Sequence, residues 1–174
     1  MPPHRRLYHI VAALICRDDD VLLVRQQGPG DAQATWALPG GVAEPGALLT
    51  EALAREVREE TGLTVRNPGR LAYVAQLDNA HEGYQSTTFT FAVGAWAGAL
   101  RAGDPDGLVA RARFMPRLEA VETLERLPWR VMHEPAVAYL RGDVAPGAMW
   151  FYRRDADGAD QLVTLLAGGA PEEA

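Results

Sequence analysis

The chain has 174 residues, 48% of them hydrophobic and 23% charged, which suits one domain with a substantial core. Its formal net charge of -6 excludes non-specific attraction to nucleic acid polymers and anionic membranes, while leaving room for a local basic site. All 17 basic residues are arginine, so Schiff-base chemistry and a P-loop lysine are excluded, and any grip on phosphate must come from the arginine fork.

In chain order, the apolar run Ile10 to Ile15 is too short to cross a bilayer and is not followed by a cleavage site, so neither a membrane span nor a signal is expected. It is expected to be a buried strand, with Asp18-Asp19-Asp20 as a hairpin turn and Val21-Leu22-Leu23-Val24 as its partner. The aspartate triplet could bind a cation, but a solvated turn explains it without one. The lone Cys16 cannot form an internal disulfide, and its apolar surroundings suit packing and a cytoplasmic location. Gln26 to Thr35 reads as a loop broken by Gly and Pro.

After the apolar Trp36-Ala37-Leu38 come Pro39 and the pair Gly40-Gly41, where a strand end without side chains lets backbone approach a ligand closely. Glu51 to Thr61 is rich in helix formers and stops at Gly62, a residue suited to the left-handed position after a helix. Glu56, Glu59 and Glu60 stand at i, i+3 and i+4 on one face of that helix, Leu53 and Val57 face the core, and Arg55, Arg58 and Glu51 are expected on the far side. Like charges at this spacing cost roughly 0.2–0.5 kcal/mol each, and the negative end of the helix dipole adds roughly 0.3–1 kcal/mol per charge. A divalent cation would offset both, and hard oxygen ligands suit Mg²⁺ or Mn²⁺. The alternative is a solvated acidic face with Glu51, Arg55 and Glu59 paired along the helix.

Residues 41–63 resemble the signature of the Nudix hydrolases: Gly41, Arg55, Glu56, Val57, Glu59, Glu60, Gly62 and Leu63 fall in register. Ala47 stands where that pattern has its first glutamate, and Leu48-Leu49 offer no Ser or Thr cap, leaving Thr50 as a late one. The resemblance implies an α/β/α sandwich with a mixed sheet. It implies that Glu56, Glu59 and Glu60, with the Gly40 backbone carbonyl nearby, hold Mg²⁺ or Mn²⁺. It also implies that Glu56 or Glu59 takes a proton from water and that Arg55 steadies the neighbouring carboxylates. Trp36 matches a tryptophan common ahead of the family's glycine pair, although its main expected role is packing.

Downstream, Leu71 to Ala75 and Thr88 to Val93 read as strands joined by a polar stretch, 78–86, that faces the site. Leu108 to Phe114 alternates as a strand, with Arg111 and Arg113 on one side, where they could grip phosphate or simply be wet. Related enzymes often carry a further acid in this part of the chain, for which Glu82, Asp104 and Asp106 are candidates. Arg25, Trp36, Glu82 and Arg111 are the substrate-binding candidates. Leu118 to Leu127 has helical spacing, and Pro135 to Leu140 is expected to begin a second helix at its proline, with His133 packing or ending a helix. Met149 to Tyr152 and Gln161 to Leu165 form a terminal hairpin.

Residues 1–166 are expected to make one domain, with a disordered tail over 167–174. The expected activity is metal-assisted water attack on the pyrophosphate linkage of a nucleoside diphosphate joined to another group. The partner is then a small nucleotide substrate, with no membrane or nucleic acid polymer, and the chain could pair as a homodimer. The alternative is a silent Nudix-fold module that binds nucleotides without turnover, motivated by Ala47. A third reading, an acidic α/β protein without a pocket, needs the carboxylate cluster to be accidental.

Overall fold

The computed structural model describes residues 5–28, 32–101, 107 and 109–169. Asp104, Asp106, Leu108 and the tail 170–174 lie outside them. The elements are β1 (Arg6–Leu14), β2 (Cys16–Arg17), β3 (Asp20–Gln26), β4 (Thr35–Ala37), β5 (Gly40–Val42), α1 (Leu49–Thr61), β6 (Thr64–Asn67) and β7 (Arg70–Asn79). They continue with β8 (Tyr84–Ala92), β9 (Ala95–Ala97), β10 (Val109–Pro116), α2 (Arg117–Leu124), α3 (Arg130–Arg141), β11 (Ala148–Arg154) and β12 (Asp160–Leu166).

Strand β1 organises the fold because its alternate side chains serve opposite faces. Val11 and Ala13 are fully buried in a cluster with Ala52, Leu53 and Val57 of α1, whereas Leu14 joins a second cluster with Val121 and Leu124 of α2 and Ala136 and Leu140 of α3. Strand β3 divides likewise: Leu22 goes to the α1 side, Val21 and Leu23 to the α2 and α3 side. Burying each Val or Leu among them contributes roughly 1.5–3 kcal/mol. The helices therefore cover both faces of a mixed sheet, an α/β sandwich.

The main sheet runs β12-β11-β7-β8-β1-β5, with β1 parallel to β8 and β7 parallel to β11; the other pairings are antiparallel. A second sheet runs β10-β3-β2 with β4 also on β3, and β6 pairs with β9. The strands expected around Leu71 to Ala75 and Thr88 to Val93 pair antiparallel as β7 and β8, and the expected terminal hairpin is present as β11 and β12.

Two expectations need correction. The run at 10–15 does not pair with Val21 to Val24 as one hairpin. Strand β1 stays in the main sheet, the chain turns at buried Ile15, whose carbonyl accepts the Leu22 N–H at 2.9 Å, and Cys16–Arg17 folds back on β3, with Cys16 opposite Val21. The aspartates do form the turn: Asp18 takes φ 53°, a left-handed conformation Asp tolerates, and Asp19 receives Arg117 at 2.6 Å.

Helix α3 begins at Arg130, so Pro135 lies inside it rather than at its start. Tertiary contacts extend the helix backwards past the proline. The Asp160 carboxylate accepts the Val131 N–H at 3.1 Å, and Arg130 pairs with Glu134 at 2.7 Å one turn on. His133 sits half-buried in the first turns of that helix. Cys16 is half-buried in β2, and burial pushes its thiol above the ordinary range, as expected of a packing cysteine. Among the described residues, no helix is long and apolar enough to cross a membrane.

Candidate active site

Strand β5 pairs antiparallel with β1, placing Gly40 opposite Ala12 and Gly41 opposite Val11 at the edge of the main sheet. Both glycines are required by close approach. A Cβ on Gly40 would overlap the Val11 carbonyl oxygen, and one on Gly41 would lie 2.6 Å from the Glu56 carboxyl carbon. The missing side chains let α1 press its carboxylates against the sheet edge. There the Gly40 N–H donates to Glu60 at 2.8 Å. Glu60 is only 6% exposed, and this contact fixes it where α1 meets the edge strand.

Arg55 corrects the helical-wheel expectation that it stands on the far side. Its guanidinium reaches Glu56 at 2.7 Å, Glu59 at 3.2 Å and the Val42 carbonyl at 3.2 Å. A long, flexible side chain can wrap a quarter turn around its helix when two carboxylates attract it. Glu56 and Glu59 are thus drawn to one positive group, while Glu60 faces the glycine amide. Among the described residues, no three His, Cys, Asp or Glu side chains converge closely enough to hold a metal ion.

The helix starts without a side-chain cap at Leu48. Thr50 lies inside the first turn, and it is Glu51 that accepts the Leu48 N–H at 2.9 Å. Ala47 is exposed in the preceding turn, its N–H donating to the Glu44 carbonyl at 3.1 Å. At the other end Gly62 takes φ 76° and closes the helix on the Arg58 carbonyl.

On the opposite face of the sheet lies a cavity of about 700 Å³. Its floor is the inward row of the sheet, including Tyr8, Ile10, Ser86, Thr88 and Tyr73. Its wall comes from Leu124, Leu127, Trp129 and Met132, and Gly40 and Val42 bring its rim to the edge where the α1 carboxylates sit. Tyr8 and Tyr84 meet edge to face, ring centroids 5.9 Å apart. The wall around Tyr73 is dry enough for burial to push its phenol well above the ordinary range.

Of the substrate-binding candidates, Glu82 lines this cavity and Arg25, Trp36 and Arg111 do not. Those three share one face of the second sheet, Arg25 lying opposite both Arg111 and Trp36. Trp36 packs on the core cluster and lies under the Arg113 guanidinium, 5.7 Å from the ring centroid, and Arg113 also pairs with Glu119. Arg111 and Arg113 are both exposed on β10, and their face turns towards α2 and solvent rather than into the cavity.

Among the described residues, the cavity's lining includes one charged side chain that sequence pattern did not single out. Arg154, at the end of β11, lines it with a side chain only 14% exposed, and its Nε donates to Asp160 at 2.8 Å. Burial works to lower the Arg154 pKa, but the bond and charge of Asp160 outweigh it, so the group stays charged. Asp160 also caps α3, so one carboxylate ties the cavity's arginine to its helical wall. Beside them Tyr152 donates to Glu134 at 2.7 Å. Burial pulls the Glu134 carboxyl up, yet Arg130 and Tyr152 outweigh that, leaving it below its usual value.

A mixed sheet sandwiched by helices, with a carboxylate helix held to a glycine edge and a cavity on the other face, defines the α/β class whose signature residues 41–63 resemble. The NUDIX domain model matches residues 7–139, and the chain belongs to the Nudix family. An 8-oxo-dGDP phosphatase of Mus musculus is 30% identical over 115 residues, 66% of this chain and 34% of that protein. An ADP-ribose pyrophosphatase of Methanocaldococcus jannaschii is 32% identical over 94 residues, 54% of each chain. The solved structure of a mutator MutT protein from Bacillus halodurans shares the fold, with a TM-score of 0.66 over 94% of this chain and 99% of that one at 22% identity. The chain thus spans about a third of the mouse relative and about half of the archaeal one.

Proposed function

We propose that this protein hydrolyses the pyrophosphate linkage of a nucleoside diphosphate joined to another group. The observation that carries this reading is the fit of the Glu56 carboxylate into the space left by Gly41, at an edge continuous with a cavity large enough for a nucleotide. The names of the mouse and archaeal relatives point to compounds with a nucleoside diphosphate core, which supports the same substrate class.

By its chemistry the donor set suits a hard divalent cation, which on binding would draw together carboxylates that stand apart in this structure. It is all oxygen, Glu56 and Glu59 are 13% and 27% exposed, and Arg55 already draws both to a single positive charge. Glu56, Glu59 and Glu60, with the Gly40 carbonyl, would hold Mg²⁺ or Mn²⁺. When bound, such an ion neutralises pyrophosphate and acidifies water. Arg55 orients the Glu56 and Glu59 carboxylates, one of which accepts the proton of the attacking water. The Gly40 amide fixes Glu60, and the cavity takes the nucleoside. Residues 1–166 act as one unit in this reading, in the cytoplasm.

The test is a panel of nucleoside di- and triphosphates, nucleotide sugars, ADP-ribose and dinucleoside polyphosphates, each with Mg²⁺ or Mn²⁺, scored by product identity. Cleavage at the pyrophosphate of at least one member, abolished by chelation, is expected. Binding without turnover across the panel would instead establish the silent module.

A further inference from the structure

We propose that Arg154 selects the base of the bound nucleotide, pairing through its two terminal amino groups with an edge that presents two adjacent acceptors, as O6 and N7 of a 6-oxopurine or O2 and N3 of cytosine do. The inference rests on the reading that a nucleotide enters the cavity. It adds which base and which residue.

Arg154 is the only cationic side chain among the described residues that line the cavity. Asp160 engages its Nε, so the planar head is fixed in direction. No hydrogen bond of its terminal nitrogens is found among the described residues, which leaves the fork available to a ligand. A fixed guanidinium fork matches a pair of neighbouring acceptors in one plane, the geometry by which Arg reads guanine. The aromatic rings of Tyr8, Tyr84 and Trp129 line the same cavity and suit the faces of a planar heterocycle.

The same fork could take a phosphate or a carboxylate, but the charges around it argue against an anion. Asp160 offsets the arginine, and Glu82, the only other charged side chain among the described residues that line the cavity, is negative. The lining is therefore neutral to negative at this end. A neutral acceptor edge meets the donors without adding a second buried anion. Adenine sets an amino donor beside N7, and uracil sets an N–H between its carbonyls, so neither offers the fork two adjacent acceptors.

The experiment measures binding of free guanosine, cytidine, adenosine, uridine and inorganic phosphate to the full chain without added metal, by calorimetry and thermal shift. Guanosine or cytidine is expected to bind at least about tenfold more tightly than adenosine and uridine. Whichever leads identifies the base. Arg154→Lys keeps a charge opposite Asp160 but removes the fork, so it should retain its fold, checked by its melting curve, and lose the preference. Adenosine or uridine binding as well as the other two, a preference that survives Arg154→Lys, Arg154-dependent binding of phosphate alone, or no nucleoside binding at all would overturn the inference. Because the probes carry no pyrophosphate and the assay no metal, failure here leaves the hydrolysis panel to stand or fall separately.

Discussion

The two faces of β1 carry two kinds of site, and they differ in how far along the chain their parts lie. On the α1 face, the glycine pair and the carboxylates come from residues 40–60, and their contacts are set by a helical repeat and two missing side chains. On the other face, the cavity draws on β1, β7, β8, α2, α3 and β11, brought together only by the sheet order. The local site is where the chemistry is proposed, and the dispersed one is where selection is proposed. A family can hold the first constant while the second varies with each strand and loop that contributes to it.

The sharpest way to break this division is to disable the local site and ask whether the other face still binds. Glu60→Gln keeps the size of the side chain and an oxygen for the Gly40 amide, but removes a charge from the carboxylate group. Turnover should fall by at least about a hundredfold, the scale of losing electrostatic stabilisation in the transition state, while nucleoside binding to the cavity is unchanged. Parent-like turnover would remove Glu60 from the site.

A smaller effect is expected from Gly41→Ala. The atoms nearest its Cβ are the carboxylate end of the Glu56 side chain, so the fold should lose about 1 kcal/mol or less, a few degrees in melting temperature, while the carboxylate is pushed aside. We expect turnover about tenfold lower. If stability collapsed and activity per folded molecule held, the glycine would serve packing alone.

The same contrast explains what the sequence disclosed. Helix α1, its glycine stop and the edge glycines were legible because each is fixed by neighbours within a turn or two. Their meaning became specific once the spacing of Gly41, Arg55, Glu56, Glu59 and Glu60 matched a family signature. Arg55 was misplaced because a helical wheel positions Cβ atoms, whereas a guanidinium travels to its charges. The start of α3 was misread because its first turn is held by Asp160, a residue from another element, and no local signal announces a cap supplied across the fold. Arg154 was invisible for the same reason. Its role follows from Asp160 beside it and the cavity before it, and neither is visible in a linear chain.

A milder probe of the dispersed face uses pH. Glu134 has its pKa lowered in the folded protein, so its contribution to stability is present above the unfolded value near 4.5 and is lost as pH falls through the folded value. Glu134→Gln should therefore be less stable at neutral pH, by about 1 kcal/mol once its partial exposure is allowed for, or roughly 2–4 °C. The gap to the parent should close as the pH falls below 4.5. Melting curves from pH 3 to 8 measure this, and a gap that stays constant with pH would show that the carboxylate's charge is not what holds α3 to Tyr152.

The smallest effect is expected where the signature itself departs, at Ala47. The residue is exposed, just ahead of Leu48, which precedes the first residue of α1, and Glu51 already satisfies the Leu48 amide, so the helix start does not depend on an acid at 47. Ala47→Glu adds a negative charge near the positive helix end, worth roughly 0.3–1 kcal/mol, and should leave the fold intact and slightly more stable. If the family's first glutamate only supports the site from outside, the variant should raise a measurable parental rate by a factor of a few. If the parent is silent because that carboxylate is missing, the variant should create turnover where none existed, moving the protein from the binding reading to the enzymatic one. Parent and variant are compared on the same substrates across Mg²⁺ and Mn²⁺ concentrations. A folded variant slower than the parent would mean that alanine is suited to this particular edge, and the local site would then be tuned to its own cavity rather than interchangeable across the family.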